Sequence, residues 1–284
     1  MVVAKKNVSF MLFTDRENLL LRILNVFGYA DKKLMIDLIG EDSNERSLRF
    51  RRMSMKKLKI IEEFMTGFPI GYNPKGKETY YCLTLGENGL GYCANFPEGK
   101  QDKRVAESWE PHLHHDFILS RVAMEICIAL EASGFEIEKI MNESGDFKEL
   151  TSIRPDGTIL FSTNTENVKF GAIFIEVERH YLEQEAVARK LSRYATAIHE
   201  EKFDKAVGFD LSQVRVVYVS TTINKFNNGI EKIKTVGYKG YDLLCIEYHD
   251  LMEKHVDALY TYPFTGQKVK ITERIPKEIG SNHG

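Results

Sequence analysis

Asp156, Glu176 and Glu178 are the residues best spaced to do chemistry. Pro155-Asp156 opens one β-rich run, and Glu176-Val177-Glu178 closes the next, twenty residues later. A hairpin pairing of these runs sets Asp156 beside Glu176. Two carboxylates at a strand end, met by a phosphate, make a Mg²⁺ site, because Mg²⁺ takes oxygen ligands and binds through one or two carboxylates plus waters. The metal would activate water and neutralise charge on the phosphate under attack. Such a site usually adds a lysine to position the nucleophile or stabilise charge. Each residue also has a plainer reading. Aspartate is common in Pro-Asp-Gly turns for local hydrogen bonding alone. Glu176 and Glu178 share a strand face. They repel unless a metal ion, or an arginine such as Arg179, Arg189 or Arg193, lies between them.

The elements that must hold these residues follow from periodicity. A helix over 114–133 has an apolar face of Ile118, Leu119, Val122, Ile126 and Leu130, and Gly134 closes it. Phe135–Met141 alternates as a strand. The turn Arg154-Pro155-Asp156-Gly157 leads into a strand at Thr158–Ser162, and Lys169–Glu178 is the strongest strand of the chain. A helix at 182–200, a strand at Val214–Ser220, a helix at Lys225–Val236 and a strand at Leu243–Tyr248 complete an α-β-β-β-α-β-α-β order around a mixed sheet. Residues 112–284 are read as one domain.

Residues 1–93 read as another. Helices are expected at 15–28, capped by Asp15, at 31–39, and from Ser43 or Asn44 to about Met65. Extended pieces at Pro69–Tyr72 and Thr79–Leu85 flank Asn-Pro-Lys-Gly-Lys, a hairpin signal. Three helices and a hairpin in this order make a winged helix-turn-helix, whose third helix enters the major groove of double-stranded DNA. The stretch from Arg46 to Lys59 holds seven basic residues and no acidic one. Arg46 and Arg49 sit where base edges are met. Arg51, Arg52, Lys56 and Lys57, with Lys75 and Lys77 of the wing, are the other candidate DNA contacts. The alternatives are a solvated helix face, or a winged helix used for dimerisation or docking. Residues 94–111, polar and broken by prolines, read as a linker.

The order α-β-β-β-α-β, with Pro-Asp and then Glu-x-Glu, resembles the PD-(D/E)xK nuclease superfamily. That resemblance implies a restriction-endonuclease-like mixed sheet flanked by helices. It also implies Mg²⁺-dependent phosphodiester hydrolysis, with Asp156, Glu176 and Glu178 as metal ligands. The superfamily's lysine falls at position 178, which here is Glu178. Some members carry it on the following helix, where this chain has Lys190; Arg179 is a weaker substitute. Asp156, Glu176 and Lys190 are then the catalytic positions, and Glu125 could supply the further acid that some members place on the preceding helix.

Over about residues 14–250 the chain resembles the replication-relaxation family of Gram-positive plasmids and related mobile elements. The likeness is carried by the DRENLLLRIL helix, the basic helix with its NPKGK wing, and His114-His115-Asp116. To these are added Arg154-Pro155-Asp156, the FIEVER strand end and Lys190-Leu191-Ser192-Arg193-Tyr194. It implies plasmid replication, or DNA relaxation during mobilisation, with replication or relaxosome proteins as partners. Two functions follow: an accessory or regulatory DNA-binding factor whose nuclease-like half is degenerate, or a Mg²⁺-dependent endonuclease or nickase. Glu178 in the lysine position favours the first. A homodimer fits a winged helix, though no interface shows in the sequence.

Other features exclude more than they assign. The 284 residues are 43% hydrophobic and 28% charged with net charge −2, ordinary for a globular protein. Residues 1–110 carry 18 basic against 15 acidic residues, the remainder 21 against 26. No run approaches the roughly 20 apolar residues of a membrane span. Met1 to Phe13 holds no signal-peptide pattern. Cys82, Cys93, Cys127 and Cys245 form no CxxC pair and are expected as buried reduced thiols of a cytoplasmic protein. His112, His114 and His115 lack a further zinc ligand; His114 or His115 is expected to cap the helix or line a cleft. Tyr194 is placed as a core tyrosine rather than a relaxase nucleophile, for want of a neighbouring histidine pair. Gly86, Gly89 and Gly91 lack the strand–helix context of a nucleotide loop. A small-molecule enzyme finds no supporting motif.

Overall fold

Phe170–Glu178 is apolar at almost every position, the pattern of a strand covered on both faces. In the computed structural model it lies near the middle of a seven-stranded mixed sheet. The structure describes residues 12–31, 34, 35, 38, 45–65, 71–72, 78–79, 81–99, 110–143, 153–163, 168–178, 183–208, 210–237 and 239–273. The wing residues Lys75 and Lys77, Arg179, and most of the expected linker lie outside them.

The first half holds α1 (Asp15–Phe27), β1 (Ala30–Asp31), α2 (Glu45–Lys57), β2 (Ile61–Met65), β3 (Gly71–Tyr72), β4 (Glu78–Thr79), β5 (Tyr81–Leu85) and α3 (Glu87–Cys93). The second holds α4 (Glu110–Ala132), β6 (Phe135–Asn142), β7 (Gly157–Thr163), β8 (Phe170–Glu178), α5 (Gln184–His199), α6 (Lys202–Val207), β9 (Leu211–Ser220), α7 (Ile223–Val236), β10 (Asp242–Glu247), α8 (Tyr248–Lys254), β11 (Tyr260–Thr261) and β12 (Lys268–Val269). In the large sheet the order is β12-β11-β10-β9-β8-β7-β6. β6, β7 and β8 form an antiparallel meander, and β9 and β10 then run parallel to β8.

Side-chain alternation gives each face its own core. Ile173, Ile175 and Val177 of β8 join the cluster containing α1 and α4. Ala172 and Phe174 point to the other face, under Val187, Leu191 and Tyr194 of α5 and Ile233 of α7. Glu176 and Glu178, two and four residues beyond Phe174, therefore belong to the α5–α7 face. All four cysteines are buried and free. Among the described residues no helix is long and apolar enough to cross a membrane.

Two expectations for the first half change. Thr14, not Asp15, caps α1: its hydroxyl accepts from the Glu17 amide, and Glu17 returns the bond to the Thr14 amide, a capping box. The third helix stops at Lys57 instead of running to Met65, because Ile61–Met65 pairs antiparallel with Tyr81–Leu85 as part of a β1-β5-β2 sheet. Lys59 turns the chain there with φ 54°. Gly86 and Gly89 belong to this turn. A Cβ on Gly86 would stand 2.3 Å from the Lys59 carbonyl oxygen, and one on Gly89 2.1 Å from that of Ile60. α3 was not foreseen; it starts against this notch, with the Asn88 side chain donating to the Leu58 carbonyl at 2.7 Å.

The two halves share one apolar core. Leu20, Leu24 and Phe27 of α1 lie in the same cluster as Leu119, Val122 and Ile126 of α4. Polar bonds reinforce the seam. Arg22 donates to Glu98 at 2.6 Å and to the Ile137 carbonyl at 3.1 Å, while the Ile140 amide donates to Glu98 at 2.9 Å. The Asn142 side chain reaches the Val26 carbonyl at 2.7 Å. Arg22→Ala would leave the buried Glu98 carboxylate without its cation. It is expected to destabilise the whole chain by about 3–5 kcal/mol, read as a lower urea midpoint in a single transition; an unchanged midpoint would show that the seam contributes nothing.

Candidate active site at the end of the central strands

β7 and β8 are in register with Gly157 opposite Ile175, so the next residue back, Asp156, faces Glu176 across the two strand ends. The hairpin expected from the sequence thus brings the two carboxylates together. Asp156 accepts a hydrogen bond from the Val177 amide on Oδ2 at 2.7 Å. His115 Nε2, from the second turn of α4, lies 3.4 Å from the same oxygen.

Glu176 is 1% exposed, and both its oxygens are met from α5. Tyr194 donates to Oε1 at 2.7 Å, and the Lys190 ammonium binds Oε2. Residues four apart on a helix stack on one side, so Lys190 and Tyr194 reach the same carboxylate while Val187 and Leu191 pack into the core. Lys190 is 34% exposed, its ammonium forming the boundary between the buried acid and solvent. Its neighbour Arg189 pairs within the helix, with Glu185 at 3.9 Å.

The two acids have opposite electrostatics. Burial drives the Glu176 carboxyl up to about 7, with Asp156 adding to the rise; the charge of Lys190 and the bonds from Lys190 and Tyr194 only partly oppose it. Asp156 also feels burial as its largest influence, but His115, Lys190 and the Val177 amide together hold it below its ordinary value. Adjacent carboxyls driven apart in this way are the pattern of sites that need one ionised acid and one protonatable one. Burial and Glu176 keep the Tyr194 phenol protonated, a donor and not a nucleophile.

Glu178 lies apart from this pair. It is buried against Ser220, whose hydroxyl donates to Oε2 at 3.2 Å, and under Gly229 of α7. Among the described residues no group of three potential ligand side chains forms. Asp156 and Glu176 are hard oxygen donors of the kind Mg²⁺ takes together with water, and both oxygens of the buried Glu176 are engaged by Lys190 and Tyr194. Arg193 is exposed, and Lys190 is the cation beside Glu176.

Glu125 does not join the site. It pairs with His255 at 2.9 Å, since ten residues along a helix from His115 is about 15 Å. His115 was expected as a cap or cleft residue. α4 begins at Glu110, so His115 lies inside the helix, buried beside Asp156.

On α2 the basic residues divide. Arg51 turns back to Glu17 of α1 at 2.7 Å and to the Leu12 carbonyl at 2.6 Å, with its guanidinium 5.7 Å over Phe13. Arg52 and Lys56 both pair with Glu63 of β2, at 3.2 and 2.7 Å. Arg49 and Lys57 are exposed, on a surface with Phe50 at 74% and Met53 at 57% exposure. The side chain of Arg46 lies outside the described residues.

Glu176 carries a pH signature. Its folded-state value of about 7 stands above the ordinary 4.5. Its protonation therefore favours folding most fully below pH 4.5, and that contribution is lost as pH rises through 7. Lys190→Met removes the partner that tolerates the charged form. At pH 8 it is expected to destabilise the fold by about 1–3 kcal/mol, reduced from a fully buried pair by the lysine's exposure. Urea unfolding at pH 5 is expected to show a smaller loss. Equal losses at both pH values would show that the Glu176 charge is not what Lys190 supports.

No protein-family model matches the chain, and no curated protein matches it. Among solved structures, the restriction endonuclease FokI is similar at 10% identity with a TM-score of 0.24, over 84% of this chain and 62% of that one. The matched region thus spans less than two thirds of that protein's length.

Proposed function

We propose that this chain acts on double-stranded DNA, and that its second half is a Mg²⁺-dependent phosphodiester-hydrolysing site of the PD-(D/E)xK kind with its lysine displaced onto the following helix. One observation carries the reading: Asp156 and Glu176 face each other at adjacent strand ends, and Lys190 of α5 reaches the same point. The α4-β6-β7-β8-α5-β9 order, an antiparallel meander followed by a parallel strand, supports a restriction-endonuclease-like assignment. Asp156 and Glu176 would hold the ion, which when bound supplies Lewis acidity and a more acidic water. Lys190 holds the Glu176 carboxylate, and its part-exposed ammonium gives an incoming phosphate a positive charge to meet. Hydrolysis adds water across one P–O bond, leaving a phosphate monoester and a free hydroxyl.

The first half we read as a winged helix that chooses the DNA site. Its order of helix, short strand, helix and antiparallel strands supports this, as does the exposed basic face of α2. Arg49 and Lys57, with Arg46, Lys75 and Lys77 by sequence, are the proposed contacts; Arg51, Arg52 and Lys56 serve internal pairs first. The process is plasmid replication, relaxation or mobilisation in the cytoplasm, as the resemblance to the replication-relaxation family implies. A second reading, an accessory factor with a retired nuclease fold, is favoured by Glu178 in the superfamily's lysine position and by its engagement with Ser220.

Supercoiled DNA from the chain's own element, incubated with Mg²⁺ or Mn²⁺, is expected to be nicked or linearised by the native protein and left intact by Asp156→Ala/Glu176→Ala. No cleavage by the native protein, with the gel shift retained, would select the accessory reading. Arg49→Ala and Lys57→Ala should each make the slope of log affinity against log salt shallower by about 1. An unchanged slope would remove α2 from the DNA interface.

A further inference from the structure

We infer that His115 is the positioning residue for Asp156, orienting its carboxylate for the metal; the inference rests on the nuclease reading above. Two groups approach one oxygen of Asp156, the amide as a hydrogen-bond donor and the imidazole within ion-pair distance but outside hydrogen-bond geometry. The Val177 amide of β8 donates to Oδ2 at 2.7 Å, and His115 Nε2 of α4 lies 3.4 Å from that same atom. Both contacts are to Oδ2. The imidazole is itself flanked: its Nδ1 lies 3.6 Å from Asp116, so both ring nitrogens stand beside carboxylates.

His115 is buried on a helix whose next turns carry buried apolar Phe117, Leu119, Val122 and Ala123 together with buried Ser120 and Arg121. A buried polar side chain needs partners, and the acid at the strand end is one within reach, beside Asp116 of its own helix. α4 is a firm base for it. Ser120, one turn further along, donates to the Tyr29 carbonyl at 2.6 Å and ties the helix to the first half. A carboxylate ligand held from outside by a fixed donor loses about 10–100-fold in metal affinity when that donor is removed.

The test is Mn²⁺ binding to the full chain, followed by electron paramagnetic resonance without DNA. Four proteins are compared: native, Asp156→Ala, His115→Ala and His115→Gln, whose amide offers a donor near the place of Nε2. Native protein is expected to bind, Asp156→Ala to lose binding, His115→Ala to weaken it about 10–100-fold, and His115→Gln to recover most of the loss. Thermal unfolding separates folding from positioning, and if His115→Ala does not fold, the comparison of His115→Gln with native protein carries the test. If native protein and Asp156→Ala bind alike, the metal-site reading falls and this inference with it. If Asp156→Ala loses binding while His115→Ala matches native protein, the inference alone is overturned. Equal weakening in His115→Ala and His115→Gln also overturns it, because the ring's shape and not its donor would then be what matters.

Discussion

A carboxylate excluded from water at the end of a β-strand is unfavourable unless something meets its charge, and Glu176 is such a group. Lys190 and Tyr194 meet it, one on each oxygen, and both come from α5. That requirement fixes a good deal else. It sets the rotation of α5 about its axis and places Leu191 and Tyr194 over Phe174. It also stands a cation beside Glu176, at the strand ends where Asp156 faces it. The same pairing explains why Asp156 is ionised beside a neighbour that readily holds a proton: the lysine charge reaches both, but only Asp156 has a backbone amide and an imidazole besides.

The second organising constraint is the seam between halves. α4 has one side toward the sheet and another toward α1, so its apolar surface is wider than a single-faced amphipathic helix needs. Arg22 and Glu98 lie at the edge of that contact and satisfy backbone groups of β6 that would otherwise be buried without partners. The strand ends bearing the candidate site are therefore held by groups from the first hundred residues as well as from the second half.

Much of the second half was legible because its signals are local. Continuous apolar runs marked β8 and β9, and the Pro-Asp-Gly turn with the twenty-residue step to Glu176 marked the hairpin. What was not legible depends on distance through space. Nothing near Arg51 announces Glu17, thirty-four residues earlier, as its partner. Ile61–Met65 continues the apolar spacing of α2 and changes to a strand only because Tyr81–Leu85 offers backbone partners and Lys59 adopts a left-handed turn. His115 could be named from the sequence, but that it and not His114 faces inward depends on how α4 packs against the sheet. Glu125 lay on the right helix at the wrong height.

The shared α1–α4 core bears on how such a protein can change over generations. Chains whose modules meet only through a tether can trade one module by recombination and stay folded. Here a foreign segment replacing the first half would have to arrive with an apolar face matching Leu119, Val122 and Ile126, and with a cation for Glu98. The two halves are therefore constrained to be inherited together, and change is more accessible by substitution on the exposed face of α2 than by exchange of the segment that carries it.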